Sequence, residues 1–248
     1  MSVTFKRRLV LALIVTLLGG AVFAVYSLRV DEIRVTGVRN LDPRSIIEAS
    51  GLQGGERLLW IRLSAVARRI ERIPAVASAS ASRSFPSTVV LRVTEREAVA
   101  RLEGTNGLAV DASGRIFAWP AGDLPAAEGW TGRGSEGDRV DGATTVVLRA
   151  FASFPARLRE RTERIVVGPP LILRLKDGTE VRFGTHYDLT RKARVALAVL
   201  DAERGTQLAY VDVRAPTVPV SRRRDPATPA PASPPPARTP QPEAPPQV

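Results

Sequence analysis

The sequence contains no cysteine and a single histidine, His186. A disulfide framework, a thiolate nucleophile and Cys-ligated zinc or iron–sulfur sites are thereby excluded, and one imidazole does not furnish a His-rich metal site. Lysine is almost missing as well: Lys6, Lys176 and Lys192 stand alone among 36 basic residues, the rest being arginine. Aromatic residues make up only 5% of the chain. Trp60, Trp119 and Trp130 are scattered rather than interleaved with basic residues as a base-stacking platform, and one or two of them are expected in the core.

Catalytic patterns are also lacking. Gly51-Leu52-Gln53-Gly54-Gly55 follows a helix end, whereas a phosphate cradle precedes a helix and carries a lysine and a Ser or Thr. No Gly-x-Ser-x-Gly elbow occurs. His186 reads as an exposed loop residue. Glu95 and Glu97 project to one side of a strand end, but Arg96 lies between them and no second group suggests a substrate. Neither an enzyme nor a cofactor or metal site is expected from these residues.

What is present is a chain of 248 residues, 44% hydrophobic and 25% charged, long enough for one or two domains with real cores. Its formal charge of +11 is unevenly placed. Residues 1–30 carry +4, residues 221–248 carry +2, and the 190 residues between them only +5. The excess on the folded part is too small and too interspersed with acids to predict a nucleic-acid face.

The two ends differ in kind. Leu9 to Leu28 is a run of twenty uncharged residues, about the length needed to cross a hydrocarbon core of roughly 30 Å as a helix. Lys6, Arg7 and Arg8 precede it, which predicts a single-pass anchor with residues 1–8 as a cytoplasmic stub and the bulk of the chain extracytoplasmic. A cleaved signal peptide is the rival reading. The run exceeds the usual apolar stretch of about 7–15 residues and lacks Ala-x-Ala, Val22-Phe23-Ala24 being only a weak site. Residues 223–248 are dominated by proline and alanine and are expected to be an extended, solvated tail.

Between the ends, an α+β fold in two units is predicted. Residues 30–100 read β-α-α-β-β. Ile33 and Val35 alternate in a strand over Val30 to Val38, and Asp42 and Pro43 start a helix that Gly51 ends. Val66, Ile70 and Ile73 mark a second helix over Ser64 to Ile73, stopped by Pro74. Val76 to Ser82 is a strand, Phe85-Pro86-Ser87 a turn, and Val89, Leu91 and Val93 one face of a third strand.

Residues 101–222 read as a mostly antiparallel β domain with flanking helices, its first clear element near Gly107. Leu108 to Val110 and Arg115 to Phe117 flank a turn at Asp111 to Gly114, and Leu171 to Lys176 pairs across Asp177-Gly178 with Glu180 to Phe183. Ala121 to Asp141 is a polar, glycine-rich stretch. A short apolar helix containing Val147, Leu148, Phe151 and Phe154 ends at Pro155, and Arg164 to Val167 is a strand. A longer amphipathic helix follows Asp188, and Leu208 to Arg214 is the last clear strand. No βαβ repeat of a parallel nucleotide-binding sheet is evident.

The order of these elements resembles the bacterial cell-division family FtsQ (DivIB). The first unit resembles the family's POTRA domain in Val35-Thr36-Gly37, Ile73-Pro74-Ala75-Val76, Phe85-Pro86-Ser87-Thr88 and Val93-Thr94-Glu95-Arg96-Glu97-Ala98-Val99-Ala100. The second resembles its β domain in Val110-Asp111-Ala112-Ser113-Gly114-Arg115-Ile116-Phe117 and in Leu208 to Arg214. The resemblance implies a non-enzymatic divisome scaffold in the cytoplasmic membrane, placed at the septum, that links early and late division proteins through FtsB and FtsL.

It also implies an FtsB contact by strand addition near the end of the β domain. That region here is Tyr210, Val211, Asp212, Val213 and Arg214, then Thr217 to Arg222, where Val218, Val220 and Arg222 line one side of an edge strand. Val211 and Val213 should face the core, Asp212 and Arg214 solvent or partner. Pro216 and Pro219 lack N–H donors and restrict where pairing occurs, and Ala215 stands where the family pattern carries a larger aromatic. On the first unit, Val76 to Ser82 matches the family's region for upstream partners. A POTRA-type docking or chaperone module for export or outer-membrane assembly is the alternative, with an exported hydrolase behind it.

Overall fold

The computed structural model describes residues 13–20, 28–120 and 122–224. Lys6, Arg7 and Arg8, most of the Leu9 to Leu28 run and the tail from residue 225 onward lie outside the described residues. Residues 13–20 are helical. No helix among the described residues is long and apolar enough to cross a membrane.

The first unit follows the expected order: β1 (Glu32–Thr36), α1 (Pro43–Ser50), a 3-10 turn (Leu58–Trp60), α2 (Leu63–Ile70), β2 (Val76–Ser84) and β3 (Thr88–Glu95). The Asp42 carboxylate accepts from the Arg44 N–H at 2.9 Å, Pro43 occupies the first turn and Gly51 closes α1 in the left-handed region. α2 ends at Ile70 rather than Ile73, because residues 71–75 already form the tight turns that feed β2. The sheet runs β1-β3-β2, with β1 parallel and β2 antiparallel to the central strand. Val89, Leu91 and Val93 share a buried apolar core with Ile46, Leu58, Val66 and Ile70. Ser78, Ser80, Ser82 and Ser84 lie on the exposed face.

The second unit is one nine-stranded mixed sheet in the order β12 (Val220–Arg223), β11 (Leu208–Asp212), β10 (Glu180–Gly184), β9 (Leu171–Leu175), β8 (Thr162–Val166), β7 (Ala126–Glu128), β4 (Ala100–Leu102), β5 (Leu108–Val110), β6 (Ile116–Ala118). It begins at β4 (Ala100–Leu102), ahead of Gly107, continues through the hairpin β5 (Leu108–Val110) and β6 (Ile116–Ala118), and includes β7 (Ala126–Glu128). β7 corrects the reading of residues 121–141 as a polar stretch. Its short Ala-Ala-Glu segment is made a strand by parallel pairing with β4 and with β8 (Thr162–Val166).

From β7 to β8 the chain crosses through α3 (Gly142–Ala152) and α4 (Ala156–Arg161), Pro155 standing at the N-cap of the second helix. β9 (Leu171–Leu175) and β10 (Glu180–Gly184) form the expected hairpin. α5 (Leu189–Ala202) then carries the chain from β10 to the parallel strand β11 (Leu208–Asp212), and β12 (Val220–Arg223) closes the series. Two helical crossovers between parallel strands therefore exist where none was evident in the sequence, and three of the eight pairings are parallel, the other five antiparallel. Phe154 stacks on Phe183 with centroids 5.5 Å apart, joining the end of the α3 segment to β10 over Leu158, Leu173, Ala193 and Val211.

Arg96 bridges the two units. Arg96 Nε donates to the Pro74 carbonyl of the first unit at 2.7 Å, and Nη1 donates to Asp111 Oδ2 of the β5–β6 turn at 2.7 Å. Partial burial alone would raise the Asp111 carboxyl. Hydrogen bonds from Ser113, Arg115 and Arg96 outweigh it and hold the group below its ordinary value. Arg96→Ala is expected to increase protease cleavage at Glu97 to Val99 while both cores stay folded, which timed proteolysis with mass spectrometry reads directly. Because the folded Asp111 value is depressed, its contribution is complete above the unfolded value and fades as pH falls through the folded one. Melting curves below about pH 4 should therefore show Asp111→Asn less acid-sensitive than the parent, though less stable near neutrality.

Candidate functional site

The residues singled out at the end of the β domain converge on the terminal edge of the large sheet. In β11, Leu208 to Asp212, Val211 is buried while Tyr210 and Asp212 face the other way, and a register shift between Leu208 and Tyr210 accompanies the burial of Leu208 as well. The following turn is closed by the Val218 N–H donating to the Ala215 carbonyl at 3.1 Å. Pro216 lies in that turn and Pro219 directly precedes β12, so neither removes a donor from the strand itself. β12 begins at Val220 rather than Thr217, and Val218 belongs to the turn. The register sets Tyr210 opposite Arg222, Val211 opposite Ser221 and Asp212 opposite Val220.

β12 is the last strand in its sheet, and no further strand pairs with it among the described residues. The Arg224 N–H donates inward to the Gln207 carbonyl at 2.8 Å. Alternation along the strand then turns the main-chain groups of Arg223 and Ser221 outward. The opposite edge is different. At β6 the Ile116 N–H donates to Asp138 and its carbonyl accepts from Gly137, both at 2.9 Å, so a loop covers that edge.

Side chains at the open edge divide into three kinds. Val211 and Val213 are fully buried and belong to the core, as their alternation predicted. Val218 and Val220 are 69% and 52% exposed. Asp212 is largely covered and bonded to the exposed Arg214 at 2.7 Å, while Tyr210 is half-buried with the Arg182 guanidinium 4.1 Å from its ring centroid. Burial alone would raise the Asp212 carboxyl, but its hydrogen bonds from Arg214 and the nearby Arg182 charge hold it low.

Two further features of this corner were not found from sequence. Arg182 reaches it only through the parallel β10–β11 pairing. Tyr187, 80% exposed, stands in the loop after β10, three residues beyond Gly184, whose backbone approaches the Arg214 side chain. Its exposure carries no pattern in the sequence.

The remaining candidates stay apart from this edge. Glu95 accepts from the N–H groups of Arg39, Asn40 and Leu41 at 2.7 to 2.9 Å and so fastens the loop before α1. Glu97 is exposed and shares no bond with it. His186 is half-buried rather than exposed, its Nε2 lacking a hydrogen-bond partner. No tryptophan is fully buried: Trp60 is 68% exposed, Trp119 and Trp130 are intermediate, and Trp130 packs on the rim of the large core.

Sequence comparison adds an independent line. The profile of the POTRA domain, FtsQ-type, matches residues 28–96, and that of the cell division protein FtsQ/DivIB C-terminal region matches residues 98–214. A cell division protein FtsQ from Streptomyces collinus is 32% identical over 229 residues, covering 85% of each chain. The protein of that name from Corynebacterium glutamicum is 28% identical over 201 residues, covering 78% of this chain and 88% of the relative. That from Anaeromyxobacter sp. is 33% identical over 191 residues, covering 71% and 64%.

The edge residues make separable predictions for stability. Val211→Ala should cost about 2 kcal/mol, since it empties a buried site in the sheet. Val218→Asp should leave the unfolding free energy from urea titration within about 0.5 kcal/mol of the parent, as expected for an exposed surface position.

Proposed function

Because this chain belongs to the FtsQ/DivIB cell-division family, we propose that it is a non-enzymatic, single-pass membrane scaffold of the divisome whose β12 edge takes up a strand from FtsB, in complex with FtsL. The family membership carries the cell-division role. The outer edge of β12 carries the finer reading: it offers outward main-chain groups beside exposed Val218 and Val220, while a loop shields the opposite edge of the same sheet.

The chemistry of the edge describes its partner. Ser221 and Arg223 offer main-chain pairing, Val218 and Val220 offer shallow apolar contact, and Arg214, Arg222 and Arg223 favour a strand flanked by acidic residues. Tyr210, held under Arg182, supplies a rigid ring beside them. Val211, Asp212 and Val213 support this surface from behind, the valines through the core and Asp212 by orienting Arg214. In this reading the apolar run at Leu9 to Leu28 anchors the chain, Lys6, Arg7 and Arg8 keep its N-terminus cytoplasmic, and the two units work outside the membrane at the septum. Residues 30–100 and 101–222 are its two functional modules.

Ser221→Pro tests the strand addition, because it removes an outward donor that β11 does not use. Capture of FtsB by the full chain should weaken about tenfold or more, the equivalent of one or two lost hydrogen bonds, with the melting temperature unchanged. Undiminished capture by Ser221→Pro and by Val218→Asp/Val220→Asp would place the contact elsewhere. A fluorescent fusion that labels the envelope uniformly in dividing cells, with no mid-cell band, would overturn the septal role.

A further inference from the structure

The end of the first unit where the chain enters from the apolar run has its own chemistry. The Leu28 carbonyl accepts from the Leu58 N–H at 2.9 Å, and Val30 exchanges bonds with Glu56 and Gly55. Arg29 Nη1 donates to the Gly55 carbonyl at 2.8 Å. The segment Gly54 to Ile61 is thus fastened to the residues that directly follow the apolar run. Arg83 fastens the same segment from the other side, donating to the carbonyls of Leu58, Leu59 and Ile61. Two residues beyond Arg83, the β2–β3 turn reaches the start of β1, where the Ser87 carbonyl accepts from Asp31 and Glu32.

Two large apolar side chains project from this end, Trp60 at 68% and Phe85 at 61% exposure. Between residues 28 and 100 no other large apolar side chain is so exposed. The Arg57 guanidinium lies 5.9 Å from the Trp60 ring centroid, and Arg29 and Arg62 are exposed nearby along the chain. The acids of the same end are partly engaged: Glu32 pairs with Arg34, Glu56 accepts from the Gln53 N–H, and Asp31 is exposed.

We propose that this end of the first unit rests in the headgroup layer of the phospholipid bilayer, with the Trp60 and Phe85 rings at the hydrocarbon boundary and Arg29, Arg57 and Arg62 on lipid phosphates. Aromatic rings beside arginines suit that layer, which is apolar on one side and wet and anionic on the other. The position argues for lipid over a protein partner, because Trp60 sits on a segment bonded to Leu28, the last residue of the apolar run. The inference rests on the reading of that run as a membrane span. Docking would hold the first unit at a fixed tilt to the membrane, since Arg83 and Arg29 make the aromatic end rigid.

The absence of native cysteine makes a site-specific test direct. Trp60→Cys, Phe85→Cys and, toward the other end of β2, Ser78→Cys are each labelled with an environment-sensitive fluorophore in the full chain. The labelled chains are reconstituted into phosphatidylethanolamine/phosphatidylglycerol vesicles containing lipids brominated near the headgroup. Probes at 60 and 85 should lose fluorescence to bromine, and the probe at 78 should not. Retention of the chain in the vesicles after alkaline carbonate reports the anchor separately. A chain that resists carbonate while its probes at 60 and 85 stay as unquenched as that at 78 overturns the docking and leaves the anchor standing. A chain stripped by carbonate overturns the anchor, and the docking with it.

Discussion

The Arg96 guanidinium bridges the two units of this chain. It is held between the Pro74 carbonyl and the Asp111 carboxylate, with side-chain exposures of 19% for Arg96 and 10% for Asp111. A planar fork with several donors can bond a carbonyl and a carboxylate together, which a lysine ammonium on a flexible stem does with less directional control. Asp111 is fixed in turn by the Ser113 hydroxyl and by the N–H groups of Ser113 and Arg115. The contact therefore joins one rigid turn to another. A swivelling linker at Glu97 to Val99 would leave the orientation of one sheet independent of the other.

The treatment of sheet edges follows a similar logic. At β6 the loop through residues 136–140 takes up the outward groups, as native sheets commonly do to prevent unwanted pairing. β12 is left unpaired among the described residues but carries Arg222 and Arg223, charges that discourage self-association and favour a complementary strand. β2 also lies at a sheet edge, and its exposed face consists of serines, which offer little apolar attraction to a neighbour. Of these edges, β12 alone combines an unpaired main chain with exposed valines close by.

Much of this architecture was legible because it rests on local chemistry. Asp42, Pro43 and Gly51 bound α1, Asp177-Gly178 turns the β9–β10 hairpin, and Val89, Leu91 and Val93 alternate into the core. β7 was not legible, since Ala126-Ala127-Glu128 has no alternation of its own and is a strand only because β4 and β8 lie on either side. Pro155 ends one helix signal and also starts the next helix, a dual use that punctuation alone does not separate. At the candidate edge, period two placed Val211 and Val213 in the core and Arg214 outside, while Asp212, expected toward solvent or partner, is largely covered in its pair with Arg214. The partnership of Arg182 with Tyr210 required knowing that β10 and β11 are parallel neighbours, which no local pattern records.

The predominance of arginine acquires a structural meaning from these contacts. Arg29, Arg69, Arg83, Arg96 and Arg139 all donate to main-chain carbonyls in loops, turns or at a helix end, Arg83 to three at once. A delocalised, weakly hydrated guanidinium is desolvated at lower cost than an ammonium and satisfies several carbonyls in one plane. Lys192 shows the contrast: it is buried, bonded to the Phe183 and Thr185 carbonyls, and burial lowers its pKa despite the Asp188 charge. A minority of the positive charge on the folded part, these five arginines, thus fastens main-chain segments in a chain without disulfides. The arginines not engaged in this way gather meaning from their neighbours, beside Trp60 at one end of the chain and beside Val220 at the other.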